Sequence, residues 1–287
     1  NGFLGVDGVK VVILYPSGKV SEIQEKQLTT LGQNIEAMEV DGVFDDCQRM
    51  VKTAFLDSEL TDHKKLTSAN SINVARWLPQ LFYFLFAYKQ AKSKGKEIVF
   101  SVPSGNFGNI CAGMMAQKLG MPVKHFVAST NVNDVVPKFM ENGIYEPMAS
   151  IATISNAMDV GDPSNFVRIR HLHNDDLETL QEHLSSYAFS DKATKATMKE
   201  VYSKTGYVMD PHGAVGYLGL KEYQKSHPDT YGIFLETAHP VKFLDVVEDT
   251  LGLSPEIPPQ IMNVMDKEKK SVSIATYDEL KQFLLND

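Results

Sequence analysis

What most constrains this chain is a repeated pairing: a short, nearly unbroken β-branched or apolar run, then a stretch with helical period. Val9 to Tyr15 is the first such run. A strand without polar alternation reads as a member of a parallel sheet covered on both faces. Pro16-Ser17-Gly18 breaks it, and Ser21 with Gln24 makes a capping-box pattern for a helix that ends at Leu31. Gly32 then suits the left-handed position after the last turn. The pairing recurs with a strand at Ile35 to Val40 and an apolar stripe of Phe44, Cys47, Val51, Ala54 and Phe55 at helical spacing. A long helix is predicted from near Ser71–Arg76 to about Lys94, with Gly95 behind it. Further strands are predicted at Glu97 to Val102 and Val123 to Ala128, and helices at Phe107 to Leu119 and Val135 to Met140. Asp210 reads as an N-cap with Pro211 at the first position of a helix reaching about Tyr223, and Tyr231 to Thr237 as a last buried strand. Repeated β-α-β units imply parallel sheets with right-handed crossovers, so the fold class is α/β. We place one domain boundary near Thr67.

Composition removes several classes of function. The net charge of −8 supplies no basic face for nucleic acid. The longest apolar stretch, Trp77 to Tyr88, is too short for a membrane span, carries Pro79 and Gln80, and is expected to be a core helix. Cys47 and Cys111 have neither disulfide nor metal-ligand spacing and are expected to fill space. With no signal peptide, the cytoplasm is the expected compartment. No initiator Met is present, and Asn1-Gly2-Phe3-Leu4-Gly5 reads as a helix end running into a strand, so we expect a chain truncated at its N-terminus.

The best candidate for chemistry is Ser104-Gly105-Asn106-Phe107-Gly108-Asn109, which lies between a strand and a helix, where α/β sheets bind ligands. Glycines admit close approach of a phosphate, and the helix start offers unpaired N–H groups and a favourable dipole. On spacing alone, the segment is equally an ordinary glycine-containing turn capped by Asn or Ser. It matches neither the dinucleotide fingerprint nor a P-loop. Glu236-Thr237-Ala238-His239-Pro240 ends another strand on the same edge. There the Thr hydroxyl either pairs with a ring nitrogen or caps the helix that Pro240 opens, and His239 is expected to make a structural hydrogen bond. Ser68 to Asn73 reads as a helix cap or the lining of an amino-acid pocket. Thr130 to Asp134 and Ile154 to Asp159 are Asn-rich and read as anion-holding segments or as turns. His171, His173, Asp175 and Asp176 are expected to be solvated surface, and no metal site is expected.

Six blocks carry a resemblance: Val11 to Pro16, Ser68 to Asn73, Val102 to Asn109, Thr130 to Asp134, Ser155 to Val160, and Thr237 to Phe243. In their order and spacing they resemble the threonine synthase family, most closely its bacterial and fungal branch, over all but the last thirty or so residues. The resemblance implies a two-domain, tryptophan-synthase-like fold that uses pyridoxal 5′-phosphate. Residues 1–66 would be the remnant of the smaller domain and 67–287 the larger, cofactor-binding one. It implies conversion of O-phospho-L-homoserine and water to L-threonine and phosphate. Gly105, Asn106, Phe107 and Asn109 would hold the cofactor phosphate, and Thr237 would face the pyridine nitrogen. Asn109 stands where the family usually has Asp. Asn156, Arg168 and Lys242 are candidates for the substrate's phosphate. The chain departs from the family in lacking the Phe-Lys-Asp segment with its Schiff-base lysine and the Ser-Gly-Asp-Thr-Gly loop. We therefore expect these 287 residues to be inactive alone, with an exposed sheet edge at Val9 to Tyr15. Two other readings stay open: another pyridoxal-phosphate-dependent lyase or dehydratase of this fold, and a lysine-less, non-enzymatic anion-binding protein. Oligomeric state is left open.

Overall fold

The computed structural model describes residues 2–70 and 72–286. It divides into two units, Asn1–Thr67 with Pro255–Asp287, and Ser68–Ser254. The first contains β1 (Val11–Pro16), α1 (Glu22–Thr29), β2 (Ile35–Val40), α2 (Phe44–Leu56) and α3 (Ser58–His63). The second contains α4 (Trp77–Ala91), β3 (Ile98–Pro103), α5 (Gly108–Lys118), β4 (His125–Thr130), α6 (Val135–Asn142), α7 (Phe166–Leu172) and α8 (Leu177–His183). It continues with β5 (Leu184–Ala188), α9 (Asp191–Thr205), α10 (Pro211–Gln224), β6 (Tyr231–Phe234) and α11 (Leu244–Leu251). The chain then returns to the first unit with α12 (Pro259–Met265), β7 (Val272–Ile274) and α13 (Tyr277–Asn286). The single cut near Thr67 therefore needs a correction: β7 pairs with β2, so residues 255–287 complete the first unit and do not extend the second.

The second unit is built on a parallel sheet of order β5-β4-β3-β6. Every residue of β3 and β4 is buried. Alternation sorts the two faces. Phe100, Val102, Phe126 and Ala128 pack with Phe84 of α4 and with α5, whereas Val99 and Val127 pack with Leu220 and Tyr223 of α10. The Phe84, Phe100 and Phe126 rings lie 5.2 to 5.9 Å apart. Gly113 of α5 makes room for them, since a Cβ there would meet Phe84 and Phe126 ring carbons at 2.7 Å. On the other face, Ser101 donates to the Gly216 carbonyl at 2.6 Å, and a Cβ on Gly219 would lie 1.9 Å from Ser129 Oγ. Glycines thus seat α10 directly on the carboxyl half of the sheet.

Three expectations differ from the structure. β1 leads the order β1-β2-β7, the edge position expected of it, but it is half-buried from Val11 to Leu14 and not covered on both faces. β6 is also an edge, half-buried and only four residues long, so 235–239 run on as a connection. A continuous apolar run does not separate an edge strand from a central one. The helix at Trp77 buries Trp77, Leu81, Phe84 and Ala91 but leaves Leu78, Phe82, Tyr83 and Phe86 exposed, so it is a core helix on one face only. The start expected at Ser71 lies outside the described residues. No described helix is long and apolar enough to cross a membrane.

Candidate anion site at the carboxyl edge of the second sheet

Parallel pairing puts the carboxyl ends of β3, β4 and β6 on one edge, and the loops leaving them carry most of the candidate residues. After Pro103 the chain is held by Ser104 N–H to Ser129 O at 2.8 Å. It then turns through Gly105 to Phe107 into α5. Phe107 takes φ +60°, a left-handed geometry that costs an aromatic residue about 1–2 kcal/mol. Its ring, 3% exposed and edge-on to Phe166 at 5.5 Å, anchors that geometry. The first helical bond of α5 runs from Cys111 N–H to Phe107 O at 3.1 Å. The N–H groups of Gly108, Asn109 and Ile110 precede it and have no intrahelical acceptor.

Two further segments close on this loop. Asn106 Oδ1 accepts from Ser164 N–H at 2.6 Å, and Asn106 O accepts from Asn165 Nδ2 at 2.9 Å. Asn165, fully buried, also accepts from Trp77 Nε1 at 3.2 Å and from the Arg168 guanidinium at 2.8 Å. A short helical turn at Asn156–Met158 lies against Gly105: a Cβ there would sit 2.6 Å from Met158 Cα and 2.9 Å from Ala157 O. Gly105 is required by this close approach, since its φ is not positive. The turn is pinned by Asn131, whose Nδ2 donates to Asp159 Oδ1 at 2.8 Å, and by Thr153, whose Oγ1 donates to the same oxygen at 2.7 Å. Burial raises the Asp159 carboxyl above its ordinary range, against the pull of those donors.

The remaining candidates fall around this core. Thr237 is exposed just beyond β6, next to Glu236, whose carboxyl abuts the backbone of Gly213 in α10. Glu236 is exposed as a residue, but its carboxyl end packs against α10; that desolvation, then the neighbouring Asp210 carboxylate, pushes it up to about 9. His239 caps the turn Pro240–Phe243 by accepting from Val241 N–H at 3.2 Å, the structural bond expected of it. Lys242 lies in that turn. Arg168 departs from the picture of an open anion ligand: its guanidinium lies 4.9 Å over the Trp77 ring and donates to Ile72 O as well as Asn165. His173 also needs correcting. It is buried at 0% exposure, bonded to Ile169 O at 3.0 Å, whereas its neighbour His171 is exposed. The sequence reading missed Asn165 and His212, two buried polar side chains that brace the loop. The only signal for His212 was its place two residues after the Asp210 cap.

A phosphate suits this loop on one further observation. Asn109 Oδ1 is buried with no hydrogen-bond partner among the described residues. Turned about its last torsion, the same amide presents an N–H donor beside the backbone N–H groups that lack an intrahelical acceptor. Together with the dipole of α5, these groups make this loop a candidate anion cradle on a doubly covered parallel sheet.

The sequence profile described as "Pyridoxal-phosphate dependent enzyme" matches residues 5–234, and the chain belongs to that family, whose cofactor is pyridoxal phosphate. A second profile, "Threonine synthase, C-terminal", matches residues 213–284 and so carries the likeness through the last thirty residues, which the sequence reading had excepted. The chain is 44% identical over 288 residues to the threonine synthase of Escherichia coli K12, covering 100% of this chain and 66% of that protein. It is 47% identical over 259 residues to that of Haemophilus influenzae, covering 90% of this chain and 60% of that one. It superposes on the crystal structure of the Escherichia coli enzyme with a TM-score of 0.93 at 44% identity, covering 99% of this chain and 66% of that chain. With the pyridoxal-phosphate-bound threonine synthase of Brucella melitensis the TM-score is 0.85 at 32% identity, with the same coverage. The chain thus spans 60 to 66% of the length of these relatives.

Proposed function

We propose that the chain is part of an enzyme that converts O-phospho-L-homoserine and water to L-threonine and phosphate. The observation that carries this reading is 44% identity to a threonine synthase over the whole chain, together with an anion cradle on the edge where the family resemblance locates the cofactor phosphate. When bound, pyridoxal phosphate supplies the electron sink that acidifies carbon positions of an amino-acid substrate. On this reading, the N–H groups from Gly105 to Asn109, with the start of α5, hold its phosphoryl oxygens, and Phe107 fixes the turn that aims them. Thr237 presents a hydroxyl to the pyridine nitrogen. A neutral partner there does not force a proton onto the ring, which moderates the sink and disfavours transamination. Asn156 lies in the turn against Gly105 and is the best placed residue for the substrate's phosphate. Lys242 is a second candidate, and Arg168 contributes positive charge through Asn165.

The test is turnover by the complete gene product on O-phospho-L-homoserine, L-serine and L-threonine. The reading expects phosphate release from the first and threonine as product. Deamination of serine or threonine in its place would assign a dehydratase of the same fold.

A further inference from the structure

Asp210 and His212 lie outside the residues assigned above to cofactor or substrate, yet both are sealed from solvent, at 0% and 2% exposure. Asp210 caps α10. Its Oδ1 accepts from His212 N–H at 2.9 Å and from His212 Nδ1 at 2.7 Å. That second bond places the imidazole proton on Nδ1 and leaves Nε2 a bare acceptor. Nε2 accepts the Ala157 N–H at 3.2 Å. The ring is boxed on one side by Phe243, with centroids 4.6 Å apart. Ala157 O and Met158 Cα are in turn the atoms that a Cβ on Gly105 would strike. A polar strut therefore runs from the start of α10, through the imidazole, to the turn that rests on the first glycine of the loop.

The fold alone does not call for such a strut. Ala157 is an exposed residue, whereas burying a carboxylate costs several kcal/mol unless it is well paired, and burying a neutral imidazole adds a smaller polar cost. The far side of the same segment is already pinned separately, through Asn131, Thr153 and Asp159. His212 ties the same segment at Ala157. We propose that His212, oriented by Asp210, is a positioning residue that fixes the Asn156–Met158 turn against Gly105 and so sets the spacing between the substrate-anion side chain Asn156 and the loop for the cofactor phosphate. The roles of the two ligands rest on the functional reading above; the strut itself does not.

Hydrogen exchange at the Ala157 amide, in the complete gene product loaded with pyridoxal phosphate, reads the strut directly. In His212→Ala the amide should exchange about tenfold faster or more, as expected for one lost hydrogen bond to a buried group. His212→Gln places an acceptor oxygen near the Nε2 position and should hold exchange within about threefold of the parent. The Thr153 and Asn133 amides, bonded to Asp159 and Asn131, should be unchanged in both variants. In kinetics, the alanine variant should raise KM for O-phospho-L-homoserine about tenfold with kcat within about threefold, and glutamine should restore KM.

Equal Ala157 exchange in parent and alanine variant overturns the strut, as does faster exchange spread evenly through β3 and α10, which marks a merely structural residue. Should the alanine variant fail to fold, the parent and glutamine proteins still decide: an Ala157 amide that exchanges in the parent as fast as in an unstructured peptide is incompatible with the strut. Absence of O-phospho-L-homoserine turnover in the parent overturns only the functional reading, because the exchange comparison needs no substrate.

Discussion

The two parallel sheets of this molecule are closed by different means. In the four-stranded sheet every residue of β3 and β4 is buried, and three stacked or edge-on phenylalanines fill one face. In the three-stranded sheet β1 stays half-buried, and several ties around it are charged. Lys269 reaches Glu25 at 2.6 Å and Glu39 at 2.7 Å, while Lys281 lies between Asp57 at 2.8 Å and Glu59 at 2.7 Å. The candidate anion loop, Ser104 to Asn109, is mounted on the first kind of sheet. A site that must hold a ligand to a fraction of an ångström belongs on a scaffold whose strands cannot shift without opening cavities. Charged, partly exposed ties tolerate such movement.

The comparison breaks first at Phe126, which is fully buried against Phe84 and Phe100. Phe126→Ala should cost about 3–5 kcal/mol in chemical denaturation, whereas a stable variant would mean that the large sheet is not packed as described. Acid should come next. His125 sits on β4, stacked on Tyr223 at 4.8 Å, and burial pushes its imidazole down to about 4. Below about 6.5 the unfolded chain takes a proton that the folded chain refuses, so stability should fall as pH drops from 6.5 to 4, by up to about 3 kcal/mol. His125→Gln should remove much of that slope. Gly219→Ala drives a methyl into Ser129 and should cost about 1–3 kcal/mol in the same melts, with α10 lifting from the sheet. The smallest effect is expected from the other sheet. Lys269→Ala should change stability by less than about 1 kcal/mol, and the difference should shrink further in high salt, because its partners are partly solvated. A salt-resistant loss larger than that of Gly219→Ala would reverse the contrast between the sheets.

Much of this architecture was legible from local signals. The Ser21–Gln24 capping box and the Asp210 cap with Pro211 at the first helical position stand where the sequence placed them, and Gly32 and Gly95 take the left-handed conformation. These features depend on a few neighbouring residues. The burial of a strand within its sheet does not, and for that reason β1 and β6 read as covered on both faces when each is a half-buried edge. The return of residues 255–287 to the first unit depends on β7 finding β2 across more than two hundred residues, which no local pattern encodes. At the site, the loop from Ser104 to Asn109 announced itself through glycines after a buried strand. Its braces were hidden because Asn165 and His212 act through contacts 59 and 55 residues away. Arg168 looked available as a charge, but its engagement with Asn165, Ile72 and Trp77 is a tertiary fact.

Exchange protection of the amides from Gly105 to Ile110, in the complete gene product with and without pyridoxal phosphate, tests the cradle most directly. Cofactor binding should protect this stretch more than any other backbone segment of the second unit. Unchanged exchange there, with protection appearing at a different strand end, would contradict it.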